Sequence, residues 1–429
     1  DVYKRQAYSG FIRKNTMRIL ILTLLGAITL GSVAAATFEA LPTFQAKEVL
    51  TAEELKGEHH EVVGNVPVDY YYFVFDLKTD YGDLHSKGLD DLHKRIREMG
   101  ALESLNEVSK SDVFMDAAGD SLESMGEGIV QLAQEPKQTA KRMGAGIKRF
   151  SINLGRKSKR AWEDITDEDE EEEAEDDDDD VADVANSAFG VNKAARAWAE
   201  KLKVDPYSRN PILQKTLIDI AQVDSAGRII TKVVVPVPTL VSATNKTVKM
   251  VWKQDPEALR KINEANLAAI GVSEDVAKKF FNNESFTISD QTRFTDALAS
   301  VGVEGLDDYV DAARRAESAR EAVFFVESAE MLEDLHAQQA VSAVLTDSRS
   351  MVALTGDRAV VLYAFDYIAW TEHVAEVTIE IAERARTELG ASGLELKNHR
   401  WVSPQARAEL ESRGWVVTEH VPVESPFTN

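Results

Sequence analysis

Between Lys137 and Arg160 the chain carries nine basic residues and no acidic one, and between Glu163 and Asp183 it carries sixteen acidic residues and no basic one. Like charges at that density repel, and they bring almost no apolar surface to bury, so a folded core must be built on either side of them. Residues 126–190 are accordingly read as a linker or arm, basic and then acidic, with the acidic half expected to be disordered.

The basic half has a sharper pattern. Met143, Ile147, Phe150 and Leu154 recur at i, i+4, i+7 and i+11. At 100° per residue they share a stripe roughly 60° wide. Lys141, Arg142, Lys148 and Arg149 fall on the other side, with further cations at Arg156, Lys159 and Arg160. A helix of that design lies on an anionic membrane surface, each cation contributing about 1 kcal/mol. Gly144, Gly146 and Gly155 oppose the helix, each by about 1 kcal/mol relative to Ala. Two kinds of partner fit: an anionic lipid surface or envelope protein, or the chain's own acidic run.

The segment from Met17 to Ala36 has the three parts of an export signal. Arg18 supplies the positive start, Ile19–Leu30 the apolar stretch, and Ala34-Ala35-Ala36 the small-residue cleavage site. Cleavage is expected after Ala36. Residues 1–16 would then lie upstream of the true start, and Asp1–Gln6 reads like one frame of a sequencing adapter. The expected location is periplasmic or secreted, with no transmembrane span once the signal is removed.

Cysteine is absent from all 429 residues. This excludes disulfides, thiolate metal sites and thiol nucleophiles, and the fold must rest on its apolar core. The formal charge is −24; residues 1–36 carry five cations against Asp1, so the remainder is about four charges more negative, −28. Such a chain repels nucleic acid, and no nucleic-acid partner is expected.

Outside the arm, periodicity gives an α+β multidomain reading. Residues 37–125 are expected to form a small α+β domain. It opens with loose sequence and contains one strand buried on both faces over Val68–Leu77, a turn at Asp80–Asp83, and a helix with Leu89, Leu92, Ile96, Met99 and Leu102 on one face. A second helix is expected over Val113–Leu122.

Residues 191–300 read as mainly helical. Asn210-Pro211 opens one helix, further starts lie near Asp255-Pro256, Ser273 and Ser289, and Ile229–Val241 is strand-like. Residues 301–425 read as an α/β layer of about five strands. A long helix over Leu306–Gln338, broken once, leads to strands at Val341–Leu345, Met351–Leu354 and Ala359–Phe365. Then follow a helix over Trp370–Leu389, a strand over Lys397–Val402, a helix over Ser403–Arg413 and a strand over Trp415–Val421.

No nucleophile elbow, phosphate-binding loop, dinucleotide fingerprint or H-E-x-x-H occurs. His59-His60 invites a metal reading, but neighbours on a strand point to opposite faces, and a solvated loop is the plainer account. Asp90 and His93, one helical turn apart, could share an ion, or could belong to a charged helix face. Asp76–Gly82 fails as a calcium loop, with Lys78 at the third position. Turn chemistry accounts for every residue of Asp205–Pro211. No metal or cofactor is expected.

Asp366 and His373 stand where the third C-terminal strand hands over to a helix, the place where α/β sheets bind ligands. They are the candidate catalytic pair, set against a reading in which Asp366 or Thr371 caps the helix while Tyr367 and Trp370 pack into the core. The expected function is therefore a non-enzymatic exported envelope protein that binds through residues 137–160. An exported hydrolase with its site in the C-terminal layer is the alternative.

Overall fold

The computed structural model describes residues 38–118, 193–224, 227–233, 246–423 and 427. Residues 1–36 and the arm, including Lys141, Arg142, Met143, Ile147, Lys148, Arg149, Phe150 and Leu154, lie outside the described residues. The described chain is α+β, as its periodicities imply.

The first unit is an antiparallel sheet. β1 (Thr43–Gln45), two one-turn helices α1 (Ala46–Val49) and α2 (Ala52–Leu55), and β2 (His60–Val63) occupy what reads as loose sequence. Both short helices carry capping boxes, at Gln45 with Glu48 and at Thr51 with Glu54, which satisfy the first N–H groups of helices too short to persist alone. β3 (Asn65–Asp69), β4 (Tyr72–Thr79) and β5 (Gly82–Lys87) complete a five-stranded sheet centred on β4.

The run Val68–Leu77 is thus not one strand. It folds back through Tyr70 and Tyr71, with Val68 opposite Phe73 and Asp69 opposite Tyr72. The reason lies far along the chain. The Tyr71 carbonyl accepts from the Asp366 and Tyr367 N–H groups at 3.1 and 3.0 Å, and the Tyr71 ring stacks on Phe365 with centroids 4.1 Å apart. Beyond its first residues β4 is buried on one face: Phe73, Phe75 and Leu77 point inward and Asp76 and Lys78 point to solvent, while Tyr72 at its start is buried against the C-terminal layer. The turn at Asp80–Tyr81 joins β4 to β5 as read from the sequence.

α3 (Leu89–Ser109) crosses this sheet and continues beyond it, followed by α4 (Asp112–Ala118). Its Leu89 and Leu92 belong to the core under the sheet, with Phe73, Phe75 and Val66. Its Met99, Leu102 and Leu105 belong to a second core with Trp198 and Leu202 of α5 (193–202), Leu213, Leu217 and Ile220 of α6 (Pro211–Val223), and Trp252 of α7 (Lys246–Lys253). Residues 229–232, read as the start of a strand, instead turn around Asp224, whose carboxylate accepts from the Ile229 and Ile230 N–H groups at 2.7 and 2.9 Å. The rest of that segment, from residue 234, is outside the described residues.

The third core is the largest. Helices α8 (Pro256–Ala269), α9 (Glu274–Phe281), α10 (Ile288–Val301), α11 (Leu306–Ala313) and α12 (Ala319–Gln338) pack beside a five-stranded sheet. The sheet order is β12-β10-β8-β7-β6. β6 (Ala343–Asp347), β7 (Ser350–Thr355) and β8 (Arg358–Tyr363) form an antiparallel meander with its tight turn at Gly356-Asp357. β10 (Gly393–Asn398) and β12 (Trp415–Thr418) then add parallel to β8 through α13 (Glu372–Glu388) and α14 (Pro404–Ser412).

Two C-terminal strands end earlier than their apolar runs suggest. β8 stops at Tyr363 and β10 at Asn398. Short β9 (Tyr367–Ile368) and β11 (Trp401–Val402) pair with each other beyond them. The buried Asn398 amide makes the break, donating to the Phe365 and Trp401 carbonyls, both at 3.1 Å. The kink leaves Asp366 on one strand extension and His399 and Arg400 on the other, at the carboxyl ends of β8 and β10.

Candidate functional site

Asp366 is buried and fully engaged. Its Oδ2 accepts from the Phe73 N–H at 3.0 Å and the Leu89 N–H at 3.1 Å, so it joins the start of β4 and the first turn of α3 to the C-terminal layer. Arg400 Nε lies 3.4 Å from Asp366 Oδ1, within ion-pair reach but without hydrogen-bond geometry. Burial pushes the Asp366 carboxyl up; Arg400 and the Phe73 N–H pull it down.

His373 sits exposed on the first turn of α13, and no hydrogen bond or ion pair joins it to Asp366. The helix cap there is Thr371, which accepts from the Val374 N–H. So the structure does not bring the candidate pair together, and Asp366 caps the incoming α3 rather than the helix that follows it in sequence.

Around Asp366 the fold gathers charges that the sequence scatters over more than 300 positions. Asp90 of α3 accepts from Arg400 Nη2 at 2.7 Å and pairs with His399 Nε2 at 3.1 Å. His399 Nδ1 faces the Val421 carbonyl at 2.7 Å. Both ring nitrogens therefore face oxygen atoms, one of Asp90 and one of the Val421 carbonyl. Burial alone would raise the Asp90 carboxyl, but Arg400 and His399 outweigh it and hold it well below the usual carboxylate range.

Asp90 and His93 do not share a site. His93 turns away to Glu54 at 2.8 Å. Burial opposes ionisation of Glu54, yet His93 and the Thr51 N–H bring its pKa down to about 2. His59 and His60 also diverge, His59 to Asp80 and His60 to the Glu54 carbonyl. His60 is a buried strand residue rather than part of a solvated loop.

α12 supplies the other wall. Glu327 follows Phe324, Phe325 and Val326 in an apolar run and is buried among them. It pairs with Arg320 two turns earlier on the same face of the helix. Burial pushes its pKa up to about 7 in spite of Arg320, with Asp90 adding to the rise and His399 and Arg293 opposing it. The Arg320 guanidinium lies 4.5 Å over the Tyr72 ring, and its Nε is buried without an acceptor. Room for it is made at Gly88, where a Cβ would lie 2.8 Å from Arg320 Nη1 and where φ is +104°. Arg293 of α10 makes a two-pronged pair with Glu330, at 2.8 Å through Nε and 2.7 Å through Nη2.

The connector Asp205–Pro211 does more than turn. Asp205 binds Lys94 at 3.2 Å and the Ser289 hydroxyl at 2.6 Å. Ser208 and Asn210 both donate to Glu98 of α3. Arg209 donates to the Glu284 and Ser285 carbonyls and lies 3.6 Å from Asp290.

Between these walls is a cleft of about 250 Å³. α3 contributes Asp90, Asp91, Lys94 and Arg95; α10 contributes Asp290 and Arg293; α12 contributes Ala319, Arg320, Val323 and Glu327. Lys87, His85, Arg209 and Phe427 close the rim.

Sequence reasoning missed most of this set. His399 and Arg400 lay inside an expected strand, and Asp90 was assigned to a charged helix face. One signal was present: Glu327, Glu330 and Asp366 each interrupt an otherwise apolar run, where an acid is costly unless paired. Comparison with protein-family profiles, curated proteins and solved structures finds no match for this chain.

Proposed function

We propose that this chain is an exported, non-enzymatic binding protein of the cell envelope that attaches to an anionic membrane surface or an envelope partner through its basic segment, residues 137–160. The observation that supports a binding role over a hydrolytic one is the engagement of Asp366. Its carboxylate is spent on the Phe73 and Leu89 N–H groups beside Arg400, and His373 stands apart in solvent. A general base needs a free carboxylate or imidazole within reach of a substrate proton. Among the described residues no helix is long and apolar enough to cross a membrane, so surface attachment falls to the cationic segment.

Co-sedimentation with vesicles of anionic or neutral lipid tests the reading. The full chain should pellet with anionic vesicles at low salt and be released at high salt. Deletion of residues 137–160 should abolish this. Equal binding with and without the segment would overturn it.

A further inference from the structure

We infer that the cleft between α3, α10 and α12 binds a compact dianion, a phosphate monoester or a small dicarboxylate. This goes beyond the envelope-binding reading and rests on it only in taking the ligand to be held rather than turned over.

The lining carries six cations, Lys87, Lys94, Arg95, Arg209, Arg293 and Arg320, against four acids, Asp90, Asp91, Asp290 and Glu327. Lys87, Lys94, Arg95 and Arg293 have ion-pair partners outside the lining, Asp69, Asp205, Glu98 and Glu330, so the cleft offers an anion cationic donors at fixed positions rather than a net positive field.

The cations are held in place from behind. Asp205 fixes Lys94, Glu98 fixes Arg95, and Glu330 fixes Arg293 through Nε and Nη2, leaving its Nη1 outside that pair. Arg320 adds a buried Nε without an acceptor. Positions fixed before the ligand arrives lose little entropy on binding, and guanidinium forks match carboxylate and phosphate oxygens. A volume of about 250 Å³ suits a ligand smaller than a drug-sized molecule.

Isothermal titration calorimetry of the full chain with phenyl phosphate, succinate and acetate tests this. One equivalent of at least one dianion should bind, and acetate should bind at least tenfold more weakly. The double variant Lys87→Gln/Arg209→Gln should raise Kd at least tenfold. Lys261→Gln/Lys279→Gln, which removes two exposed cations from α8 and α9, should leave it unchanged. Lys87→Gln alone, at an exposed side chain, keeps the test readable if loss of Arg209 weakens the fold, and should still raise Kd severalfold. Binding of phenyl phosphate alone or succinate alone supports the site and identifies the anion it takes. No saturable dianion binding, or equal weakening by both double variants, would overturn the inference. Release of phenol from phenyl phosphate would leave the site standing and overturn the non-enzymatic reading instead; absence of dianion binding with intact vesicle binding would do the reverse.

Discussion

Asp366 joins three separate parts of the site through one side chain. One carboxylate satisfies two buried backbone N–H groups and faces Arg400, so its removal strands two donors and takes one carboxylate away from the guanidinium. Asp366→Ala is expected to cost about 3–5 kcal/mol, read as a fall in the urea midpoint at constant slope. His373→Ala, on an exposed helix turn, should change stability by less than about 0.5 kcal/mol. Were Asp366 a free catalytic base, its replacement would be nearly neutral for stability. Gly88 is the second sensitive residue. Gly88→Ala imposes a side chain at φ +104° and drives its Cβ into the Arg320 guanidinium. Gly64 has φ +79° and nothing within 4 Å, so Gly64→Ala carries the backbone strain without the collision, about 1 kcal/mol. Gly88→Ala should exceed it by about 1–2 kcal/mol, as crowding at a packed site does, measured by thermal or urea unfolding of the two variants side by side.

Among the elements, α6 shows how local and tertiary demands meet at one side chain. Asn210 Oδ1 accepts from the Ile212 and Leu213 N–H groups, and Pro211 sits in the first turn where its missing N–H costs nothing. Asn210 Nδ2 meanwhile donates to Glu98 Oε2 at 3.0 Å, fastening the helix start to α3. Asn210→Ala should cost about 2 kcal/mol, a cap and a charge-assisted hydrogen bond together. Asn210→Asp separates the two roles. Aspartate caps as well as asparagine, but it would set a second carboxylate against Glu98. A circular-dichroism urea titration should find Asn210→Asp destabilised too; stability equal to wild type would mean that only the cap matters.

For the whole molecule, the buried charges predict how stability depends on pH. Glu327 has a folded pKa raised from 4.5 to about 7. Between those values the folded state holds a proton that the unfolded state has released, so raising the pH through this window destabilises the fold. Asp90 and Glu54 run the other way. Their folded values are depressed, so the stability they contribute is present above their ordinary pKa and lost as the pH falls below it. For these three groups the stability maximum is therefore expected near about pH 4.5, where the Asp90 and Glu54 contributions are largely present and the Glu327 contribution is only beginning to be lost. Glu327→Gln removes the Glu327 titration. The stability of wild type relative to this variant should fall by about 3 kcal/mol between pH 4.5 and 7, following about 1.4 kcal/mol per pKa unit. Parallel curves for the two proteins across that range would show that Glu327 titrates normally.

Elements with local causes could be read from residue order. The apolar spacing of Leu89, Leu92, Met99 and Leu102 on α3, the caps at Asn210, Asp255 and Ser273, the Gly356-Asp357 turn and the strand–helix alternation after α12 were all legible, because each follows from a period or a backbone preference within a few residues. The tertiary structure alone decided what depends on distant partners. It folded Val68–Leu77 into a hairpin by docking Tyr71 on Phe365, and ended β10 at Asn398 because that amide satisfies the carbonyls of Phe365, between β8 and β9, and Trp401 of β11. It also brought Asp90, Glu327, Asp366, His399 and Arg400 into one cluster. A charged side chain carries no sequence mark of the partner that offsets its burial. The partner is set by packing, and only the cost of leaving a buried charge alone shows that one must exist.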